Sequence, residues 1–112
     1  MRAEALKGHL DGLLLAALEQ GPLHGYAVKE SLREATEGRI DLPTGTVYPA
    51  LHRLERAELI AGSWSVVGGR RRRTYELTEA GRTALSGERA GWLEFATTVT
   101  AALGARQWPA TT

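Results

Sequence analysis

A chain of 112 residues holds one domain's worth of core, and its 43% hydrophobic and 24% charged content are those of an ordinary globular protein. The absence of cysteine excludes a disulfide framework and thiolate zinc sites and suits a reducing cytoplasm. A net charge of +1 gives no whole-molecule attraction to a polyanion, so any such partner must be met through a local basic surface.

In chain order, Met1 to Leu6 carries Arg2 and Glu4 and does not read as a secretory leader. The apolar run Leu13 to Leu18 is too short to span a bilayer, so a cytoplasmic protein with no membrane partner is expected. Residues 5 to 20 predict a first helix, with Leu6, Leu10, Leu13, Leu14, Ala17 and Leu18 at helical spacing. Gly21-Pro22 ends it. A second helix is predicted from about His24 to Thr36, with Tyr26, Ala27, Leu32 and Ala35 inward, Lys29, Glu30, Arg33 and Glu34 outward, and Gly38 closing it. After the connector Arg39 to Leu42, Val47, Leu51 and Leu54 mark the buried stripe of a third helix. Its start is open. Pro43 suits a first helical position, yet an early start leaves Pro49 inside the helix at a cost of about 3 kcal/mol. Thr46 as N-cap would keep Pro49 within the first turn.

Two extended segments follow, Leu59 to Val67 and Arg73 to Leu77, the second alternating between Arg73, Tyr75 and Leu77 on one side and Thr74 and Glu76 on the other. Gly68-Gly69 reads as the turn between them. Thr78 as N-cap, with Glu79 near the positive helix end, opens a long final helix. In it Leu85, Trp92 and Val99 recur every seven residues, with Phe95 and Ala102 on the other seam position, as in a short coiled coil. Gly104 ends it, and residues 105 to 112 are expected to be a flexible tail. A core this small benefits from a partner subunit, and the seam suits one.

The order helix, helix, helix, hairpin, long helix predicts a mainly α fold with a small β-hairpin: a winged helix-turn-helix over residues 1–77 and a C-terminal dimerisation helix over 78–104. The free face and N-terminus of the third helix carry Thr44, Thr46, Tyr48, His52 and Arg53, residue types suited to phosphate oxygens, sugars and base edges in double-stranded DNA. A structural alternative is that Tyr48 packs under the wing and Thr46 merely caps the helix. Arg70, Arg71, Arg72 and Arg73 follow the hairpin turn, where they can enter the minor groove or neutralise phosphates. Strand alternation sends Arg71 and Arg73 opposite to Arg70 and Arg72, so not all four can face DNA at once.

An enzyme finds little support. His9, His24 and His52 are isolated, Asp11 and Asp41 are the only aspartates, and no metal-ligand, nucleophile or phosphate-loop spacing occurs, so neither metal nor cofactor is expected. The other class of function is a winged-helix protein-interaction module without DNA binding, for which four adjacent arginines have no evident use.

Gly25-Tyr26, Pro-Thr-Gly-Thr-Val-Tyr-Pro-Ala-Leu at 43–51, Arg-Leu-Glu at 53–55, Leu-Ile at 59–60, the glycine-arginine run at 68–73 and Tyr-Glu-Leu-Thr-Glu-Ala-Gly at 75–81 together resemble the PadR-like transcriptional regulators, over roughly residues 8 to 104. The length is similar to that of the short subfamily with a single C-terminal helix. The resemblance implies a ligand-responsive homodimeric repressor of an inverted-repeat operator, with the last helix in the dimer interface. It also implies that the third helix begins near Pro43 despite Pro49. The chain departs from the family at Leu42, where a serine cap often stands. In multidrug-binding members a tryptophan fifteen residues after the leucine of Leu-Thr-Glu lines a flat pore between subunits, and Trp92 lies fifteen after Leu77. The resemblance thus implies that two Trp92 indoles sandwich a planar aromatic effector, with Ala96 nearby and with Gly12 and Ala16 of the first helix small enough to leave space opposite. Alternatively, Trp92 only fills the seam. Arg89, one turn earlier, would better suit an anionic ligand.

Overall fold

A computed structural model of the chain describes residue 1, residues 3–6 and residues 8–104. The expected tail lies outside the described residues. The elements, in order, are a 3₁₀ turn at Ala3–Leu6, α1 (Leu10–Ala17), β1 (Leu23–His24), α2 (Gly25–Ala35), α3 (Thr44–Arg56), β2 (Ile60–Val67), β3 (Arg70–Leu77) and α4 (Glu79–Ala102). No helix among the described residues is long and apolar enough to cross a membrane.

The first helix is shorter than its periodicity suggests. Gly8 takes a left-handed φ of 86° and separates the 3₁₀ turn from α1. Leu14, Leu15 and Leu18 are buried at its end. In α2 the inward stripe is Gly25, Val28 and Leu32. Leu32 is inward as expected, but Tyr26 and Ala35 are exposed and Ala27 is half-buried, because the first turns of α2 turn Gly25 and Val28 to the core instead.

α3 starts early. Pro43 is its N-cap, with ψ 153°, no side chain caps it, and Pro49 lies inside it. Pro49 has no N–H to give the Gly45 carbonyl. The helix persists because Val47, Leu51 and Leu54 are at most 2% exposed. Burying each is worth about 1.5–3 kcal/mol, which together outweighs the roughly 3 kcal/mol cost of the proline.

The sheet has three strands, not two. β2 and β3 form the expected hairpin, in register from Ile60↔Leu77 to Val67↔Arg70. Gly68 and Gly69 both have positive φ, 58° and 78°, as a tight hairpin turn requires. β1 adds antiparallel to the other edge of β3 through Leu23↔Tyr75 and His24↔Thr74, giving the order β1-β3-β2. A two-residue strand has no periodicity to betray it.

Ile60, Tyr75 and Leu77 of the sheet close the core built by α1, α2 and α3, and Leu85 joins it from the start of α4. Thr78 joins β3 to α4: its hydroxyl accepts from Gly81 N–H at 3.0 Å and donates to the Glu58 carbonyl at 2.7 Å. Gly81 presses on the hairpin, since a β-carbon there would stand 1.9 Å from the Leu59 carbonyl oxygen. Beyond Leu85, α4 leaves the core with Trp92, Leu93, Phe95 and Val99 exposed.

Candidate nucleic-acid interface

α3 turns its buried stripe into the core and leaves Thr44, Tyr48, His52 and Arg53 exposed, with Thr46 half-buried in its first turn. The first backbone N–H groups of α3 are not consumed by a side-chain cap, so its positive end is open to an anion. Tyr48 is 36% exposed, and its ring lies against Gly25 at the start of α2. A β-carbon on Gly25 would meet Tyr48 Cε1 at 2.3 Å. Tyr48 therefore packs on α2 rather than under the wing, and still reaches the surface.

Beside Tyr48 is a cleft of about 270 Å³ lined by His24, Gly25, Tyr48 and Arg70 to Arg73, none of them acidic. His24 caps α2 by accepting from Ala27 N–H through Nδ1 at 3.3 Å. Arg72 Nη1 lies 3.5 Å from the same nitrogen. Burial first, and then the Arg72 guanidinium, lower the His24 pKa below the ordinary histidine value. Arg72 Nε is itself buried with no hydrogen-bond partner among the described residues.

The four arginines differ in their surroundings. Arg70 and Arg71 are exposed and Arg72 is half-buried. Arg71 lies over the Trp64 ring at 4.6 Å, and Arg73 lies over the same ring at 5.4 Å and pairs with Glu55 of α3. Arg53 pairs with Asp11 of α1, both groups being well exposed to solvent. The structure thus brings Tyr48 together with the wing arginines around one cleft, leaves Thr44 and His52 exposed on α3, and ties Arg53 and Arg73 to carboxylates of the chain itself. His24, Glu55 and Trp64 were absent from the site expected from sequence. Of these, only Trp64 had a signal: its place in a strand facing the arginine run.

A second region lies between the 3₁₀ turn, α1 and α4. A largely apolar groove of about 530 Å³ is lined by Gly12, Ala16 and Trp92 among others. Ala96 is half-buried and does not line it. Trp92 is 50% exposed, with the His9 ring edge-on at 5.0 Å and Phe95 at 5.7 Å. Gly12 does not simply leave space: a β-carbon there would meet Glu88 Cβ at 3.3 Å, so its smallness lets α4 approach. Arg89 is held by Glu19 through two hydrogen bonds, of 3.2 and 2.9 Å, rather than standing ready for an anion. Among the described residues, no group of three or more His, Asp or Glu is placed to hold a metal ion.

Residues 14–87 match the transcriptional regulator PadR-like family. A PadR family transcriptional regulator from Eggerthella lenta has a similar structure, with a TM-score of 0.78 and 32% identity over 89% of this chain and 86% of that one. A transcriptional regulator of Mycobacterium tuberculosis is 50% identical over 52 residues, which are 46% of this chain and 49% of that protein. Bacillus subtilis PadR, solved in complex with operator DNA, matches with a TM-score of 0.64 and 25% identity over 75% of this chain and 46% of that one. A family match across most of the winged helix-turn-helix, supported by a structural likeness at 32% identity over 89% of this chain, leads to one conclusion: the chain belongs to the PadR-like family of transcriptional regulators.

Proposed function

We propose that the chain acts as a cytoplasmic homodimeric repressor that binds an inverted-repeat operator in double-stranded DNA through α3 and the β2–β3 wing. One observation carries this reading. Tyr48 of α3 lines a wing cleft that it shares with four arginines and no acid. Thr44, Thr46 and the open N-terminus of α3 suit phosphate oxygens, while Tyr48 and His52 suit sugar or base edges. Arg53 and Arg70 to Arg72 supply cations, with Arg53 first having to leave Asp11, while Arg73, expected to contact DNA with them, is paired with Glu55. The operator complex of the Bacillus subtilis relative supports the same use of the fold.

Dimerisation is supported by α4, whose Trp92, Leu93, Phe95 and Val99, with the C-cap Leu103, lie exposed on a single protomer. A second copy covering them makes residues 78–104 the dimerisation helix and residues 1–77 the DNA-binding region. The groove at Trp92, Gly12 and Ala16, with Ala96 nearby, supports a planar aromatic effector held between the protomers. Footprinting on the upstream region of the protein's own gene tests the main claim. Two protected half-sites about one helical turn, roughly 34–36 Å, apart are expected, and absence of protection at low salt contradicts it. For the effector, a planar aromatic compound should quench the fluorescence of the unaltered protein but not of Trp92→Phe. Equal quenching in both counts against the groove.

A further inference from the structure

We infer that Glu55 and Arg73 form a latch that fixes the wing to α3, and that Arg73 is a positioning residue whose charge is neutralised within the protein, leaving Arg71 on its own side of β3, and Arg70 and Arg72 on the other, as the wing cations available to nucleic acid. The second half of this statement rests on the DNA-binding reading proposed above. The first half does not.

Three observations carry the latch. The Arg73 guanidinium pairs with the Glu55 carboxylate, at side-chain exposures of 30% and 27%, whereas Arg70, Arg71 and Arg72 have no acidic partner among the described residues. A half-shielded pair of this kind is less screened by solvent than one fully at the surface. Next, the pair crosses β2 directly over Gly62. A β-carbon there would lie 2.8 Å from Arg73 Nε, 2.8 Å from Nη2 and 2.8 Å from Glu55 Oε2, so any other residue would push the two groups apart. Finally, Trp64 stands opposite Arg73 in the strand register, and the Arg73 guanidinium lies over its ring. Stacking already restricts Arg73, so less side-chain freedom is lost when Glu55 binds it.

Glu55 is seven residues after Tyr48 on α3, two turns along the helix. The latch therefore joins the helix that would read base edges to the strand that carries the wing arginines. A helix in the major groove and a wing on the adjacent backbone must fit DNA together, so the angle between them governs the preference for operator over random DNA. Arg71 lies over the same Trp64 ring, is aligned by the stack, and has no carboxylate partner among the described residues.

Two measurements test this. In a Trp92→Phe/Trp108→Phe background only Trp64 emits. There Glu55→Gln and Arg73→Gln should each shift Trp64 emission and lower its anisotropy without unfolding the chain, and this arm needs no DNA. With DNA, the slope of log affinity against log salt reports phosphates neutralised, at about 0.9 per contact. Arg71→Gln should reduce that slope by about 1.8, one contact being lost in each of two protomers. Arg73→Gln should leave it unchanged while reducing the operator-to-random affinity ratio at least 10-fold. Glu55→Gln, which frees Arg73, should leave the slope undiminished and reduce the same ratio. Unaltered Trp64 emission, together with an Arg73→Gln slope reduced as much as that of Arg71→Gln, overturns the latch. If the unaltered protein prefers no DNA while the Trp64 arm responds as expected, the DNA-binding reading fails and only the half of the proposal that depends on it falls.

Discussion

The aromatic ring of Tyr48 on α3 occupies the space that a side chain on Gly25 of α2 would need, with Cε1 standing 2.3 Å from the position of a β-carbon there. The two helices of the helix-turn-helix therefore meet through a residue that the proposed function also offers to DNA.

Gly25→Ala should force the Tyr48 ring outward. Because that ring is partly exposed and able to move, the stability cost should be near the low end for overpacking, about 1 kcal/mol, while operator affinity falls at least 10-fold. In a Tyr48→Ala background the same change should cost nothing or stabilise slightly, since alanine is the better helix residue. Urea unfolding of the four variants measures the coupling. Additive effects would mean that the contact is not what matters at Gly25.

Gly81→Ala meets a different obstacle. The β-carbon would fall 1.9 Å from a backbone carbonyl oxygen, that of Leu59, which cannot swing aside as a side chain does. A loss of about 3 kcal/mol or more is expected, read as a lower urea midpoint. A variant as stable as the parent would show that α4 and the hairpin do not approach this closely.

Thr78→Ala removes the α4 cap and the hydrogen bond to the Glu58 carbonyl together. A cost of about 1–2 kcal/mol is expected. Thr78→Ser should recover most of it, because the hydroxyl is retained. Failure of serine to do so would assign the effect to the lost methyl group instead.

How much of this was legible beforehand depended on the kind of signal each residue carries. The order of helices and hairpin could be read from periodicity and from the Gly68-Gly69 turn, and so could the basic wing. The early start of α3 could not be read locally, because Pro49 argues against it and only the buried Val47, Leu51 and Leu54 overcome that argument. β1 is too short to show a pattern, and it is the strand that brings His24 to the wing. The Glu55–Arg73 pair links positions eighteen residues apart through a glycine between them. Neither spacing nor composition hints at such a contact, which exists only once the register of β2 and β3 is set.

His24 gives a pH dependence with a definite sign. Its pKa is lowered in the folded chain, chiefly by burial and then by Arg72, so the unfolded chain binds the proton more readily. Its contribution to stability is complete above the unfolded value near 6.5 and is lost as pH falls below that, towards the lower folded value. His24→Asn keeps a capping oxygen but does not titrate. Subtracting its stability curve from that of the parent between pH 8 and 5 should leave a difference that falls only below about pH 6.5. A difference independent of pH would mean that His24 titrates alike in both states.

Trp92 and Phe95 stand exposed on α4 and test the proposed dimer. Replacing both with glutamate should convert a dimer to a monomer in sedimentation equilibrium while leaving Leu85 and the core in place. A dimer that survives the double change would have to use another surface.

The central claim is that α3 and the wing form a DNA-binding surface, and operator titration at several salt concentrations tests it most directly. The unaltered chain and a variant with Arg70, Arg71 and Arg72 all replaced by alanine should be compared on operator and random DNA. The unaltered chain should prefer operator by about 10³ or more and lose affinity steeply with salt. The variant should remain folded and dimeric, lose at least 100-fold in affinity, and show a slope reduced by up to about 5, from three arginines in each of two protomers. Undiminished affinity in the variant, or a salt-independent and sequence-blind interaction in the unaltered chain, would contradict the account.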